Sequence, residues 1–417
     1  MPSRTERQIL LDAYILSMMT KDVLFPPEDL VESADSLQTH LATIALIEET
    51  RYLNERPSVP KNGNINLAWE YASDSAHHKR FLNMLRVSPK VFNTLLDLIQ
   101  DHPVFQSTNN HPQVPVEQQL AVTLFRMGRY GNGASVEDIA RIAGCSEGSV
   151  DNYTRRCFTA ILSLQDKFVR MLTPEEKEAE KCYMDNLVGF QGLWREGWVM
   201  YDGTIVVLFR KPGQQGDAYY TRKANYGLNL QVGNTASNLR IVDFSHGLTG
   251  SAHDASAFLH TAASVHSEWF FEGEEFAWAD SAYPVNLRTI PVHKKPASLD
   301  PKNALFDKFV AFLRVRSEHC MGALKGRFQC LRGLRVTINS NEDHYQACKW
   351  ITVAIILHNL VIDVEGKEAA EYFINAHTEA EEREDTGRAP AAQNNGNGNN
   401  NEKRQRLVDE LWAHKMV

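Results

Sequence analysis

The sequence predicts a mixed α/β sheet covered by helices, preceded by an all-helical region and followed by a low-complexity tail. Three observations carry this expectation. Between residues 198 and 292, apolar and β-branched residues come in runs of strand length. Before about residue 172, apolar positions recur instead at helical spacing. From about residue 365 the chain turns acidic and then reads QNNGNGNNN at 393–401, a composition that buries too little apolar surface to offset the entropy of ordering.

Taken in order, residues 1–112 form a helical N-terminal region. Helical spacing runs over 30–56 and again over 81–99, with Ser88-Pro89 as a start signal, and Pro57, Pro60 and Asn62-Gly63 mark a loop between them. Residues 113–172 carry a helix-turn-helix pattern. Ile139, Ala140 and Ile142 face a core, Gly144 allows the tight turn, and Ser146 caps a second helix over 147–158. That helix would present Ser149, Asn152, Tyr153, Arg155 and Arg156 to DNA. Residues 173–364 hold the strand runs, at 198–209, 228–232, 239–244, 275–279 and 287–292. A helix pattern at 255–265 lies between the third and fourth, and helix patterns at 303–325 and 343–361 follow the fifth. Residues 365–417 read as a disordered tail, dispensable for chemistry beyond about residue 385, with a basic segment (Lys403-Arg404-Gln405-Arg406) suited to nuclear import and an amphipathic end at 407–412.

Bulk composition excludes several classes. With 43% hydrophobic and 23% charged residues in 417, the chain has the balance of a soluble globular protein. The longest apolar run, 350–361, is too short to span a bilayer and is broken by His358 and Asn359, so it reads as a buried helix and no membrane is expected. The first residues lack the pattern of a signal peptide. Six cysteines without a CxxC pair read as reduced thiols of an intracellular protein. The net charge of -8 conceals segregation: Lys308, Arg314, Arg316, Lys325, Arg327, Arg332 and Arg335 cluster in one stretch, and 363–385 is acidic.

Phosphodiester chemistry at a hard divalent cation requires several carboxylates to converge, and strand ends are a simple way to gather them. Asp202 lies inside the first strand run, Asp254 follows the third, Asp280 ends the fourth, and Glu318 sits on a helix pattern. An Asp within an apolar strand is costly unless paired or metal-bound, which makes Asp202 the most informative of the four. Each alone has a plainer reading: a turn Asp before Gly203, a cap before Pro284, a surface Glu pairing with Arg314. His253 and His358 read as core histidines, and His253-Asp254 lacks the further histidines of an HD-type phosphohydrolase.

Five blocks in order nevertheless carry a resemblance: Asp202-Gly203-Thr204; Gly250-Ser251-Ala252-His253-Asp254; Ala279-Asp280-Ser281-Ala282-Tyr283-Pro284; Arg316-Ser317-Glu318 with Gly322 to Phe328; and Leu357-His358-Asn359, with a linking segment at 219–232. Over about 198–362 the chain resembles PIF/Harbinger-type DDE transposases, most closely the fungal-type members. It departs at Ile205, where many members have His, and at Ala279, where Gly is common; neither change removes an acid. The resemblance implies an RNase H-like catalytic core, Mg²⁺ or Mn²⁺ as cofactor, and DNA strand cleavage and transfer. It puts Asp202, Asp280 and Glu318 at the catalytic positions and Asp254 at a further metal-associated acid. DNA is then the expected partner, contacted by Asn152, Arg155, Arg156, Arg222, Lys223, Lys325 and Arg327, with a separate DNA-binding accessory protein and further copies of the chain as other partners, in the nucleus. The competing expectation is a domesticated nuclear DNA-binding protein that no longer cleaves.

Overall fold

A computed structural model describes residues 5–27, 29–50, 63–106, 112–374 and 399–415. The loop expected at 57–62 and most of the tail lie outside these. The chain divides into two compact units, residues 1–60 and 61–417. The first holds α1 (Glu6–Leu24) and α2 (Leu30–Glu49). They run antiparallel, joined by Arg7 donating to the Glu48 carbonyl at 3.0 Å and by the Tyr14 hydroxyl on His40 Nδ1 at 2.9 Å.

The second unit begins with helices: α3 (Leu67–Ser73), α4 (His78–Leu85), α5 (Pro89–Ile99), α6 (Val116–Met127), α7 (Val136–Ala143), α8 (Glu147–Leu162), α9 (Gln165–Phe168) and α10 (Pro174–Val188). The apolar pattern at 81–99 becomes two helices rather than one. Arg86 ends α4 in the left-handed region (φ 69°), and the Ser88 hydroxyl accepts from the Val91 amide to start α5. Gly144 closes α7 in the same region (φ 66°), and Ser146 caps α8, so two helices flank the predicted tight turn.

Next comes a five-stranded sheet in spatial order β3-β2-β1-β4-β5, with β1 (Val199–Val207), β2 (Gly227–Thr235), β3 (Ile241–Thr249), β4 (Ala277–Ala279) and β5 (Thr289–Pro291). β2 is antiparallel to β1 and β3, whereas β4 is parallel to both β1 and β5. All five predicted strands are present. The single helix expected at 255–265 is three short ones, α11 (Asp254–Phe258), α12 (Ala262–Val265) and α13 (Ser267–Phe270); the Thr261 hydroxyl donates to the Phe258 carbonyl and closes the first before the second begins. Two long helices, α14 (Pro301–Arg327) and α15 (Asn341–Glu365), cover the sheet, and α16 (Lys367–Glu371) follows. A mixed sheet of this order flanked by helices is compatible with an RNase H-like core.

Helix α15 is long and apolar enough to cross a membrane, but 83% of its most apolar window is buried inside the fold. It is fastened to β3 by Asn359, whose side chain accepts from the Ile241 amide at 3.0 Å and donates to the Ile241 carbonyl at 2.7 Å. His358 meets the Leu239 carbonyl at 2.8 Å, and burial lowers its pKa to about 4, so it is a neutral core histidine as expected. On its other side α15 receives α8, where the Phe158 and Trp350 rings meet edge to face at 4.8 Å. Residues 113–172 therefore share one core with the sheet instead of forming a separate module.

The predicted disordered tail needs correction at its end. Residues Asn399–Lys415 form a helix with Leu407, Val408 and Leu411 buried against Met184, Trp194 and Phe306. The Trp194 indole donates to the Leu407 carbonyl at 2.9 Å, and Glu410 accepts from the Leu193 amide. Even Lys403 of the basic segment is buried, donating to the Glu274 carbonyl. The reason is non-local: the segment is amphipathic, and the groove that orders it comes from α10 and α14.

This docking has a measurable consequence. Leu411→Ala should lower the unfolding free energy of the sheet-bearing unit by about 2–5 kcal/mol, the range for truncating a fully buried leucine. Urea titration reads it directly, and an unchanged midpoint would mean that the helix does not dock.

Candidate active site

β1 occupies the middle of the sheet, and its pairing with β4 aligns Val199 with Ala277 and Met200 with Trp278. Continuing that register brings Asp202 abreast of Asp280, which directly follows β4. Aligned residues on parallel neighbours point to the same face. One nitrogen of Arg314, from α14, stands 3.4 Å from Asp202 Oδ1 and 3.9 Å from Asp280 Oδ2. The two carboxylate oxygens are therefore no farther apart than those two distances together, close enough for a shared metal pair. Glu318 lies one helical turn beyond Arg314, on the same face of α14, with its side chain exposed.

Asp254 arrives differently. It opens α11, and a Cβ placed on Gly203 would stand 2.5 Å from its Oδ1; only glycine permits that approach. Side chains alternate along a strand, so position 203 faces away from Asp202, and Asp254 approaches the opposite face of β1. There its Oδ1 accepts from Gln231 Nε2 at 2.9 Å and from Asn229 Nδ2 at 3.2 Å. The structure brings Asp202 and Asp280 together and sets Asp254 on the other face of β1. Among the described residues no group of three or more His, Cys, Asp or Glu side chains is arranged to hold a metal ion. Arg314 stands between Asp202 and Asp280, buried amides take up Asp254 on the far face, and Glu318 is exposed.

The acids still fit a hard cation in kind. Burial raises the Asp202 pKa to about 6, opposed by Arg314 and assisted by Asp280 and Asp254. That excess of negative charge, with all-oxygen donors, suits a hard divalent ion. Burial, then the three neighbouring aspartates, also push the Tyr283 hydroxyl well above its ordinary range, so it remains a hydrogen-bond donor.

The predicted DNA contacts divide. Asn152 and Arg155 are exposed on α8, whereas Arg156 is half-buried near Gln119 and Tyr153 is buried in the core. Arg222 and Lys223 are exposed in the loop between β1 and β2. Arg222 reaches His253, which is an exposed residue and not the core histidine expected. Lys325 and Arg327 are corrections. Lys325 is 4% exposed, with its ammonium on Thr204 Oγ1 at 2.6 Å and the Ile205 carbonyl at 2.9 Å. Arg327 is 1% exposed and donates to the Arg86 carbonyl at 2.6 Å and to the Ala369 carbonyl. Both charges are spent on internal carbonyl and hydroxyl oxygens, out of reach of a phosphate backbone. Conversely, the sequence reading passed over Arg314 as a partner of the strand acids, and Asn229 and Gln231 altogether. Those two polar side chains share one face of a fully buried strand, and their spacing of two was the available signal.

The site thus pairs an acid inside β1 with one that directly follows β4, in a mixed sheet flanked by helices. Residues 201–359 match the DDE superfamily endonuclease family, a segment running from β1 through Asn359 and containing all four acids. No curated protein and no solved structure matches the chain.

The raised Asp202 value sets the sign of a pH effect. A carboxyl that holds its proton more tightly folded than unfolded stabilises the fold at low pH, and the contribution is lost as pH rises through about 6. In chelator, the stability of the wild type relative to Asp202→Asn should fall by about 2 kcal/mol between about pH 4 and pH 7. A pH-independent difference in urea unfolding would contradict the assignment.

Proposed function

We propose that this protein is a divalent-metal-dependent DNA endonuclease of the transposase type, acting in the nucleus on duplex DNA and cutting and joining strands at the site of Asp202, Asp280 and Glu318. The observation that carries this reading is the alignment of Asp202 with Asp280 on adjoining parallel strands, within reach of one cationic nitrogen. The family match over 201–359 supports it, and the block order supports the PIF/Harbinger type and its fungal-type branch. Asp202 and Asp280 would hold Mg²⁺ or Mn²⁺, with Glu318 completing the set from α14. Bound there, such an ion supplies an activated water and charge stabilisation at the scissile phosphate.

The remaining roles belong to the chain itself. Arg314 neutralises the paired acids and keeps them together. Arg222 and Lys223, exposed in the loop between β1 and β2, meet phosphates, while α7 and α8 act as a helix-turn-helix presenting Asn152 and Arg155. A separate DNA-binding protein and a second copy of the chain complete the cutting assembly.

Replacing Asp202, Asp280 or Glu318 by Ala should reduce cleavage of a labelled duplex by at least about 100-fold, the scale for losing a group essential to stabilising the transition state. DNA binding should persist with its salt dependence, since Lys and Arg contacts carry it. Chelator should abolish wild-type cleavage. Full activity in all three variants, or cleavage indifferent to chelator, would refute the site; tight binding without cleavage in every sample would favour the domesticated binding protein.

A further inference from the structure

We propose that Asp254 is a positioning residue and not a metal ligand: with Asn229, Gln231 and Tyr283 it forms a buried brace that fixes strand β1 at Gly203 and the loop after Asp280 from the face of the sheet opposite the paired acids. The proposal rests on the nuclease reading above and reassigns one of its acids.

The brace is continuous. The Tyr283 hydroxyl donates to Gln231 Oε1. The amide of the same side chain donates to Asp254 Oδ1 at 2.9 Å and to Asn229 Oδ1 at 2.9 Å. Asn229 in turn donates to Asp254 Oδ1 at 3.2 Å and to the Ala252 carbonyl at 3.3 Å. Gln231, Asn229 and Tyr283 are each at most 3% exposed, so an unmade bond here has no water to replace it.

Polarity along the chain is fixed. A carboxylate only accepts, so Gln231 must turn its NH₂ toward Asp254, which leaves its oxygen for the one donor opposite, Tyr283. Reversing the amide would set oxygen against carboxylate. Each end of the brace adjoins a paired acid. Asp254 presses on Gly203, the residue after Asp202, and Tyr283 lies three residues after Asp280 in the turn where the Ala282 amide donates to Asp280 Oδ1 at 3.1 Å. Displacing the brace therefore moves both acids through their backbone without touching them. Asp254 Oδ1, which accepts from two buried amides, approaches β1 from the face opposite Asp202.

The test separates charge from shape. Asn at 254 can accept the same two hydrogen bonds but carries no charge for a metal. Asp254→Ala should lower kcat for Mg²⁺-dependent cleavage about tenfold, the lower end for losing a supporting contact behind a metal site, with KM for DNA unchanged. Asp254→Asn should restore most of that loss and keep wild-type Mn²⁺ affinity by calorimetry, where Asp202→Asn loses it. Tyr283→Phe should lower kcat similarly in the wild type and add nothing in the Asp254→Ala background, as members of one brace are not additive. Gln231→Met, which keeps length but removes the amide, provides an independent second break. If Asp254→Asn loses Mn²⁺ binding as Asp202→Asn does, or if the Tyr283 and Asp254 effects add, the proposal is overturned. Should wild type neither cleave nor bind Mn²⁺, the nuclease reading fails by itself. Urea unfolding of the same variants then decides the brace: non-additive losses uphold it and additive losses reject it.

Discussion

Two carboxylates held abreast, Asp202 inside β1 and Asp280 just past β4, repel each other, and the fold must bring a positive charge to them. Arg314 supplies the opposing charge from α14 at 3.4 and 3.9 Å. To bring it there, α14 must lie along β1, and Lys325, three turns further on, seals the same contact at Thr204 and Ile205. The pairing is incomplete, because Asp202 remains raised to about 6 despite the guanidinium. A site so constituted concentrates negative charge that one guanidinium does not fully offset.

Helix α15 holds this arrangement in place. Its Asn359 and His358 grip the start of β3 and the turn before it, and its Trp350 receives Phe158 of α8. Conformational freedom of helices α3 to α9 is thereby restricted by the same core that supports the sheet. Whatever α7 and α8 contact is therefore held at a fixed geometry from the acids, as a scaffold that must bring one strand position to a reaction centre requires.

Local pattern made the sheet legible, and distance along the chain hid the rest. All five strands show as apolar runs because period and length are local properties. Asp202 stood out because an acid in such a run needs a partner, yet that partner, Arg314, lies 112 residues away, and nothing in spacing identifies it. Lys325 and Arg327 were misread because charge in a sequence does not distinguish an ammonium in water from one on a buried carbonyl. The placement of Asp254 was not legible: an acid after a strand end does not reveal which face it will approach, and Gly203 decides that through a side chain it lacks. The tail divided likewise, with the apolar spacing of Leu407, Val408 and Leu411 visible and its docking groove assembled from residues more than 100 positions earlier.

That groove has a consequence for biosynthesis. Residues 399–415 emerge from the ribosome after every element they cover, so Met184, Trp194 and Phe306 face water while the sheet beside them is already complete in length. During that interval the nascent chain presents a greasy cleft of the kind that holding chaperones capture and that neighbouring nascent chains can invade. A stop codon ahead of residue 399 would release a polypeptide with every acid in place and its flank unsealed, a substrate for the cell's quality control.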